Sequence, residues 1–360
     1  MSKGKALPRG LRLVFSLLSS LIGGGLLLVA VLAGAAVYCN APPGKGPAGN
    51  APGIQFDESG GILFEVREGE SAYGVGQRLE QAGLIKTRYF WNILSRLGRD
   101  YVKAGTYRLV PSASQMEIRN ALVEGKQVLL RVTIPEGVTL KKAGTILEEG
   151  GICPAEDFLA AAEDPAILNS YHIPNTSMEG YLYPETYFFP ASFPADRVVR
   201  TMADTFFARI REIAPESKNL NPRELNAVVI LASIVEREYR VPDEAPIMAG
   251  VFYNRMRINM ALQSCATVEY IITEIQGKPH PRVLYNADIE IEHPYNTYVI
   301  SGLPPGPISL SGRTALAAAF HPADTEYLYF RLVDESAGRH YFSKTLDDHI
   351  KAGSLFVKGG

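Results

Sequence analysis

The first pattern along the chain is a run without charge. Residues 13–38, LVFSLLSSLIGGGLLLVAVLAGAAVY, are apolar or small throughout. The run is longer than the roughly 20 residues a helix needs to cross a bilayer, and longer than the apolar core of a typical cleaved signal. It predicts an uncleaved transmembrane helix, with a cleaved signal as the alternative. Residues 39–59 follow, rich in Pro and Gly, and read as a linker that builds no packed core.

Two later segments then echo one another. VREGESAYGVGQRLEQAGLI, from Val66, and IPEGVTLKKAGTILEEGGI, from Ile134, align at a constant offset. Glu68 and Gly69 match Glu136 and Gly137, Ser71 matches Thr139, and Gly83 matches Gly151. Each copy predicts a strand, a turn, a Ser or Thr N-cap, a short helix and a glycine C-cap. With the strands and helix between the copies, residues 60–132 predict a small α+β module, and residues 133–360 a larger α+β domain. Within the latter, NPRELNAVVILASIVERE begins with an Asn221 cap, Pro222 at the first helical position and Glu224 at the third, a capping box. At 100° per residue, Leu225, Val228, Val229, Ala232 and Val235 share one face with Glu236, whereas Glu238 points the other way. Ile230, Leu231 and Ile234 cover much of the remainder, so the helix is expected to be buried nearly all round.

Composition narrows the function. The 360 residues are 46% hydrophobic and 21% charged, with a net charge of −2, which carries no signature for binding nucleic acid. Charge matters more locally. Lys3, Lys5, Arg9 and Arg12 precede the apolar run, so residues 1–12 are expected to form a cytoplasmic tail, with everything after the 13–38 anchor on the extracytoplasmic side of the cytoplasmic membrane. Cys39, Cys153 and Cys265 are too few and scattered for a disulfide framework. The six histidines lack close ligand spacing, so neither a metal nor a cofactor is expected.

The candidate chemistry rests on Glu236. A carboxyl on an apolar face, at the negative end of a helix, has its charged form disfavoured by desolvation and by the macrodipole, which suits a general acid. The alternative is an ordinary surface charge on a last turn. On position alone the two readings stand equal. The segments ASIVERE, VFYNRMRINMALQS and HPYNTYVISGLPPGPIS follow one another in this order. Together with EGYLYPETY upstream and HPADTEYLYF and GRHYFSKTLDDH downstream, they strongly resemble the MltG, or YceG-like, family of endolytic murein transglycosylases over residues 60–351.

That resemblance implies that Glu236 is the catalytic acid and that the site has a lysozyme-like arrangement. Gln263 and Asn254 would line the sugar cleft, and Tyr295 and Asn296 would bind substrate and support Glu236. Ordinary helix-end or turn roles remain the alternative for these four. It further implies that the 60–132 module is LysM-like, either glycan-binding or a spacer of the same shape. The substrate would be nascent peptidoglycan glycan strands, cut between N-acetylmuramic acid and N-acetylglucosamine to leave a 1,6-anhydro end, beside peptidoglycan synthases whose polymerisation the cut would terminate. Where the family commonly has Asp-Pro after LQS, this chain has Cys265 and Ala266, so no second acid is obvious in that loop. Two other readings stay open: a muramidase that uses water, with Glu185 or Asp288 as partner, and a non-catalytic wall-binding scaffold.

Overall fold

The computed structural model describes residues 9–44, 54–56, 61–98 and 101–355. Lys3 and Lys5 of the basic flank, most of the linker and Gly60 lie outside the described residues. The chain divides into two compact units, Met1–Val128 and Leu129–Gly360, and both mix helix and sheet, as the alternating patterns predict.

The first unit begins with α1 (Arg9–Asn40). Its portion Ser20–Asn40 is long and apolar enough to cross a bilayer, with mean hydropathy 2.3 and its large side chains exposed. Then come β1 (Ile54–Phe56), β2 (Ile62–Val66), α2 (Ala72–Gln81), α3 (Arg88–Gly98), β3 (Gly105–Leu109) and α4 (Gln115–Glu124). The strands form an antiparallel sheet in the order β1-β2-β3. Alternate residues of β2, Ile62, Phe64 and Val66, point into a core with Trp91, Leu79 and Leu122. Ser114 caps α4 through a full capping box with Glu117.

The second unit contains β4 (Leu129–Thr133), α5 (Leu140–Glu149), α6 (Ala155–Ala162), α7 (Pro165–Ser170), β5 (Thr186–Pro190), α8 (Ala195–Ile213), α9 (Pro222–Glu238), α10 (Ala245–Arg257), α11 (Cys265–Tyr270), α12 (Asn286–Ile289), α13 (Arg313–Phe320), β6 (Tyr329–Asp334), β7 (Arg339–Ser343) and α14 (Leu346–Lys351). The sequence reading ends the small module at 132, but the structure pairs β4 with β5, Val132 lying opposite Tyr187, so this strand belongs to the second unit. Alternation within LLRVT is the same whichever strand it pairs with, and its partner lies far along the chain.

The two copies of the repeat fold alike. In the first, Gly69 (φ 72°) leads to Ser71, whose hydroxyl accepts the Gly74 N–H and caps α2. In the second, Gly137 (φ 76°) leads to Thr139, which accepts the Lys142 N–H and caps α5. Each helix then closes on a left-handed glycine, Gly83 (φ 69°) or Gly151 (φ 70°). The following N–H returns to the last turn, Leu84 to the Leu79 carbonyl and Ile152 to the Leu147 carbonyl, both at 2.9 Å.

Helix α9 is the spine of the second unit. The capping box of Asn221 and Glu224 forms as the sequence predicts, residues 229–235 are all buried, and the helix packs against α13 and α10. The single polar residue in that run, Ser233, is fully buried and fully used. Its hydroxyl donates to the Ile230 carbonyl at 2.7 Å and accepts the Ile308 N–H at 3.0 Å, while its own carbonyl accepts from Ser309 Oγ at 3.1 Å. A buried hydroxyl without partners would cost stability. Here it fastens residues 308–309 along the helix. Just before this strap, Pro307 packs closely on Gly180, at φ 80°, where an added Cβ would lie 2.4 Å from Pro307 Cβ and 3.1 Å from Val229 Cγ1. Gly180→Ala therefore combines a left-handed backbone with a clash against a rigid ring. It is expected to lower stability by about 2 to 4 kcal/mol, read as a reduced denaturant midpoint of the full chain in detergent.

Candidate active site

Glu236 stands on the last turn of α9, where the apolar face leaves the core. It is half-buried, and its Oε2 accepts the Gly312 backbone N–H at 2.9 Å, just ahead of α13. Burial pushes its carboxyl up to about 7, the negative charge of Glu136 adds to the rise, and the Gly312 N–H and the Tyr239 hydroxyl pull the other way. The helix C-terminus acts in the same direction as burial. Near neutral pH both protonation states are therefore populated, as a group that first gives and then takes a proton requires.

Glu136 lies in the turn between β4 and α5. That turn is pinned to the 308–312 strap by the Gly137 N–H to the Leu310 carbonyl and the Leu310 N–H to the Val138 carbonyl, both 2.8 Å. The Glu136 side chain lies over Gly312, where a Cβ would sit 1.8 Å from Glu136 Oε1, so the glycine leaves room for the carboxylate. Since Glu236 holds the N–H of the same glycine, standard backbone dimensions place the two carboxylates at most about 7 Å apart. Tyr239 completes the cluster, its hydroxyl pushed up to about 12 by burial and by the charges of Glu236 and Glu136.

Glu238 faces away, as helical phase predicts. It accepts from Ser264 Oγ, and burial raises its carboxyl against that hydrogen bond. Gln263, at φ 50° with an exposed side chain, lies on this opposite side. With Glu238, Arg237, Arg240, Arg255 and Tyr298 it lines a cavity of about 500 Å³ whose lining does not include Glu236. Arg237 is turned to Glu269, 3.1 Å away.

Two residues expected to bind substrate brace the fold through their amides. The Asn254 amide donates to the Thr325 and Tyr327 carbonyls at 2.7 and 3.0 Å, and its oxygen accepts from Arg257. The fully buried Asn296 donates to the Ile289 and Ile291 carbonyls at 2.9 and 2.8 Å and accepts the Tyr298 N–H. In each, both amide hydrogens and one lone pair of the amide oxygen are engaged by protein. Tyr295 is half-buried, its ring 5.2 Å from that of Tyr270 and its hydroxyl against Gly306.

Of the two suggested partner acids, Glu185 is gripped by Arg209 at 3.1 Å and Asp288 caps the turn at Tyr285. The carboxylate that the fold does bring to Glu236 is Glu136, which sequence reasoning passed over. Its one sequence signal is its place in the repeat, opposite Glu68, and that position reads as a turn residue.

A third carboxyl is buried nearby. Glu179, 7% exposed, accepts the Leu140 N–H with both oxygens, at 3.2 and 3.1 Å, at the start of α5. Burial pushes it up to about 8 against the Leu140 and Gly180 N–H groups.

The pattern that defines the YceG-like family matches residues 64–354. A Bacillus subtilis protein named endolytic murein transglycosylase is 28% identical over 321 residues, covering 84% of this chain and 87% of that protein. A protein of the same name from Streptococcus pneumoniae is 30% identical over 326 residues, covering 80% of this chain but only 57% of the longer relative. The crystal structure of a YceG-like protein from Listeria monocytogenes is similar at a TM-score of 0.55 and 31% identity, covering 81% of this chain and 98% of that one.

The Glu179 carboxyl gives the fold a pH dependence of definite sign. Its folded value, about 8, lies above its ordinary value of 4.5. Its stabilisation is therefore complete below pH 4.5 and is lost as pH rises to about 8. Glu179→Gln does not titrate there. Between pH 5 and 8 the variant should gain on wild type by on the order of a few kcal/mol, measured as the difference in denaturation free energy at each pH.

Proposed function

The chain belongs to the YceG-like family, and on that footing we propose that it is a membrane-anchored endolytic lytic transglycosylase of peptidoglycan, with Glu236 as its acid. The observation that carries the reading is the setting of Glu236: a half-buried carboxyl raised to about 7, with one oxygen held by a backbone N–H. The protonated form gives its proton to the oxygen joining N-acetylmuramic acid to N-acetylglucosamine. The resulting carboxylate then accepts the proton of the muramoyl C6 hydroxyl as that oxygen closes on C1. One residue serves both steps, and the attacking hydroxyl belongs to the substrate, which favours it over free water by being intramolecular. The site is then lysozyme-like in using a glutamate at a helix end as acid.

Two other parts of the chain fit the same function. The apolar α1 serves as a single-pass anchor in the cytoplasmic membrane, with the basic flank inside and the catalytic unit on the extracytoplasmic side. The β1-β2-β3 sheet with α2, α3 and α4 is read as a LysM-like module that holds glycan strands. In this reading Gln263 and Tyr295 remain candidate contacts to substrate, each keeping side-chain surface outside the core. An association with peptidoglycan synthases, whose strands the enzyme would end, rests on the family resemblance alone.

The water-using muramidase stays as the second reading, because Glu136 places a carboxylate at a distance from Glu236 that hydrolases also use. The product separates the two. Full-length protein in detergent, incubated with purified sacculi, is expected to release fragments ending in 1,6-anhydro-N-acetylmuramic acid, lighter by one water than reducing ends. Glu236→Gln should fold normally and lose about 100- to 10,000-fold in rate. Retained activity would move the acid to another residue, and reducing ends from wild type would make the enzyme a hydrolase.

A further inference from the structure

Glu136 has no role in the acid chemistry just described, yet the fold takes trouble to place it. Its turn is fixed by two backbone hydrogen bonds to Leu310, and its carboxylate covers the one residue, Gly312, whose N–H holds Glu236. It is exposed and forms no ion pair among the described residues. A carboxylate laid over a glycine next to a second carboxylate costs electrostatic energy and brings no packing. That arrangement is explained if the repulsion itself is used.

We propose that Glu136 is the positioning residue of the site: its negative charge, held over Gly312, keeps the proton on Glu236 until a substrate oxygen is there to take it. The proposal rests on Glu236 being the acid.

The other groups around Glu236 act differently. Tyr239, from the end of the same helix, and the Gly312 N–H both favour the charged form of Glu236. Arg237 is paired with Glu269, and Arg313, next to Gly312, lies 3.9 Å from Glu212. Among these neighbours Glu136 is the one anionic group that raises Glu236, and it adds to the larger effect of burial. Because it projects from a turn rather than from α9, it can be altered without disturbing the helix.

The first test needs no activity. Wild type, Glu136→Gln, Glu236→Gln and the double variant are unfolded in denaturant, as full chains in detergent, at pH 5.5 and pH 8. The two substitutions should be additive at pH 5.5 and non-additive at pH 8, where both carboxylates are charged in wild type and removing either relieves the same repulsion. Additivity at both pH values would overturn the proposal.

The second test is the pH profile of sacculus cleavage. In Glu136→Gln the alkaline limb should move about one pH unit toward acid, the size expected of a single charge within about 7 Å in a partly solvated site. Activity at pH 5 to 5.5 should be largely kept. Glu136→Asp, which retains the charge, should recover much of the shift. Gly312→Ala, which keeps the N–H but drives the Glu136 carboxylate aside, should reproduce it. An unmoved limb would overturn the proposal even if coupling were found, as would loss of activity at every pH, since the latter makes Glu136 a group that works on the substrate itself. Activity surviving in Glu236→Gln is a separate failure: it strikes the assignment of the acid, and the coupling measurement still reports whether the two carboxylates interact.

Discussion

The hydrogen bond from the Gly312 N–H to Glu236 joins the end of α9 to the start of α13, and the site is arranged around it. Burial lifts the Glu236 carboxyl, and the charge of Glu136 adds to the rise. The Gly312 N–H, helped by the Tyr239 hydroxyl, offsets part of that rise, and the balance falls at about 7. The donor must stay put for the balance to hold. It is fixed by the strap of residues 308–312, which is fastened to α9 at Ser233 and to the β4–α5 turn at Gly137 and Val138. Three segments distant in sequence are thus tied together by hydrogen bonds, main chain to main chain at the β4–α5 turn and through the Ser233, Ser309 and Glu236 side chains at α9, and the acid takes its geometry from that tie.

The parts of this arrangement that depend on local pattern were legible beforehand. The capping box at Asn221, the burial of α9, the opposite directions of Glu236 and Glu238, and the caps of both repeat copies follow from helical period and from residue types with one good local use. What was not legible depends on pairing over distance. The partner of β4 and the approach of Glu136 to Gly312 are set by residues some 60 to 180 positions away, which no local period encodes. The bracing roles of Asn254 and Asn296 were hidden for a related reason. A polar side chain in a loop-rich, family-like segment suits a sugar cleft and suits an irregular backbone that needs its carbonyls satisfied, and only the fold shows that both amides meet the second need.

The repeat makes the same point within one chain. Glu68 and Glu136 occupy the same place before a left-handed glycine and a capped helix, so the turn geometry is common to both. In the first copy the strand joins a three-stranded sheet. In the second it pairs with β5, and its turn meets the 308–312 strap. The duplicated element supplies an exposed carboxylate on a rigid turn twice, and it becomes part of a site where a second segment brings it a partner.

Three carboxyls of the second unit, Glu179, Glu236 and Glu238, are raised by burial, so a raised carboxyl does not by itself mark an acid. Their oxygens separate them. Both oxygens of Glu179 accept from the Leu140 N–H and the side chain is nearly sealed from solvent, so this carboxyl serves the start of α5 and no substrate. Glu238 is bound to Ser264 on the side away from the strap. Glu236 has one oxygen held by Gly312, stands where α9 emerges from the core, and has a second carboxylate beside it. A general acid needs a proton that the protein makes costly to lose and a path by which a substrate can take it. Burial supplies the first condition for all three, and the end of an otherwise buried helix supplies the second for Glu236.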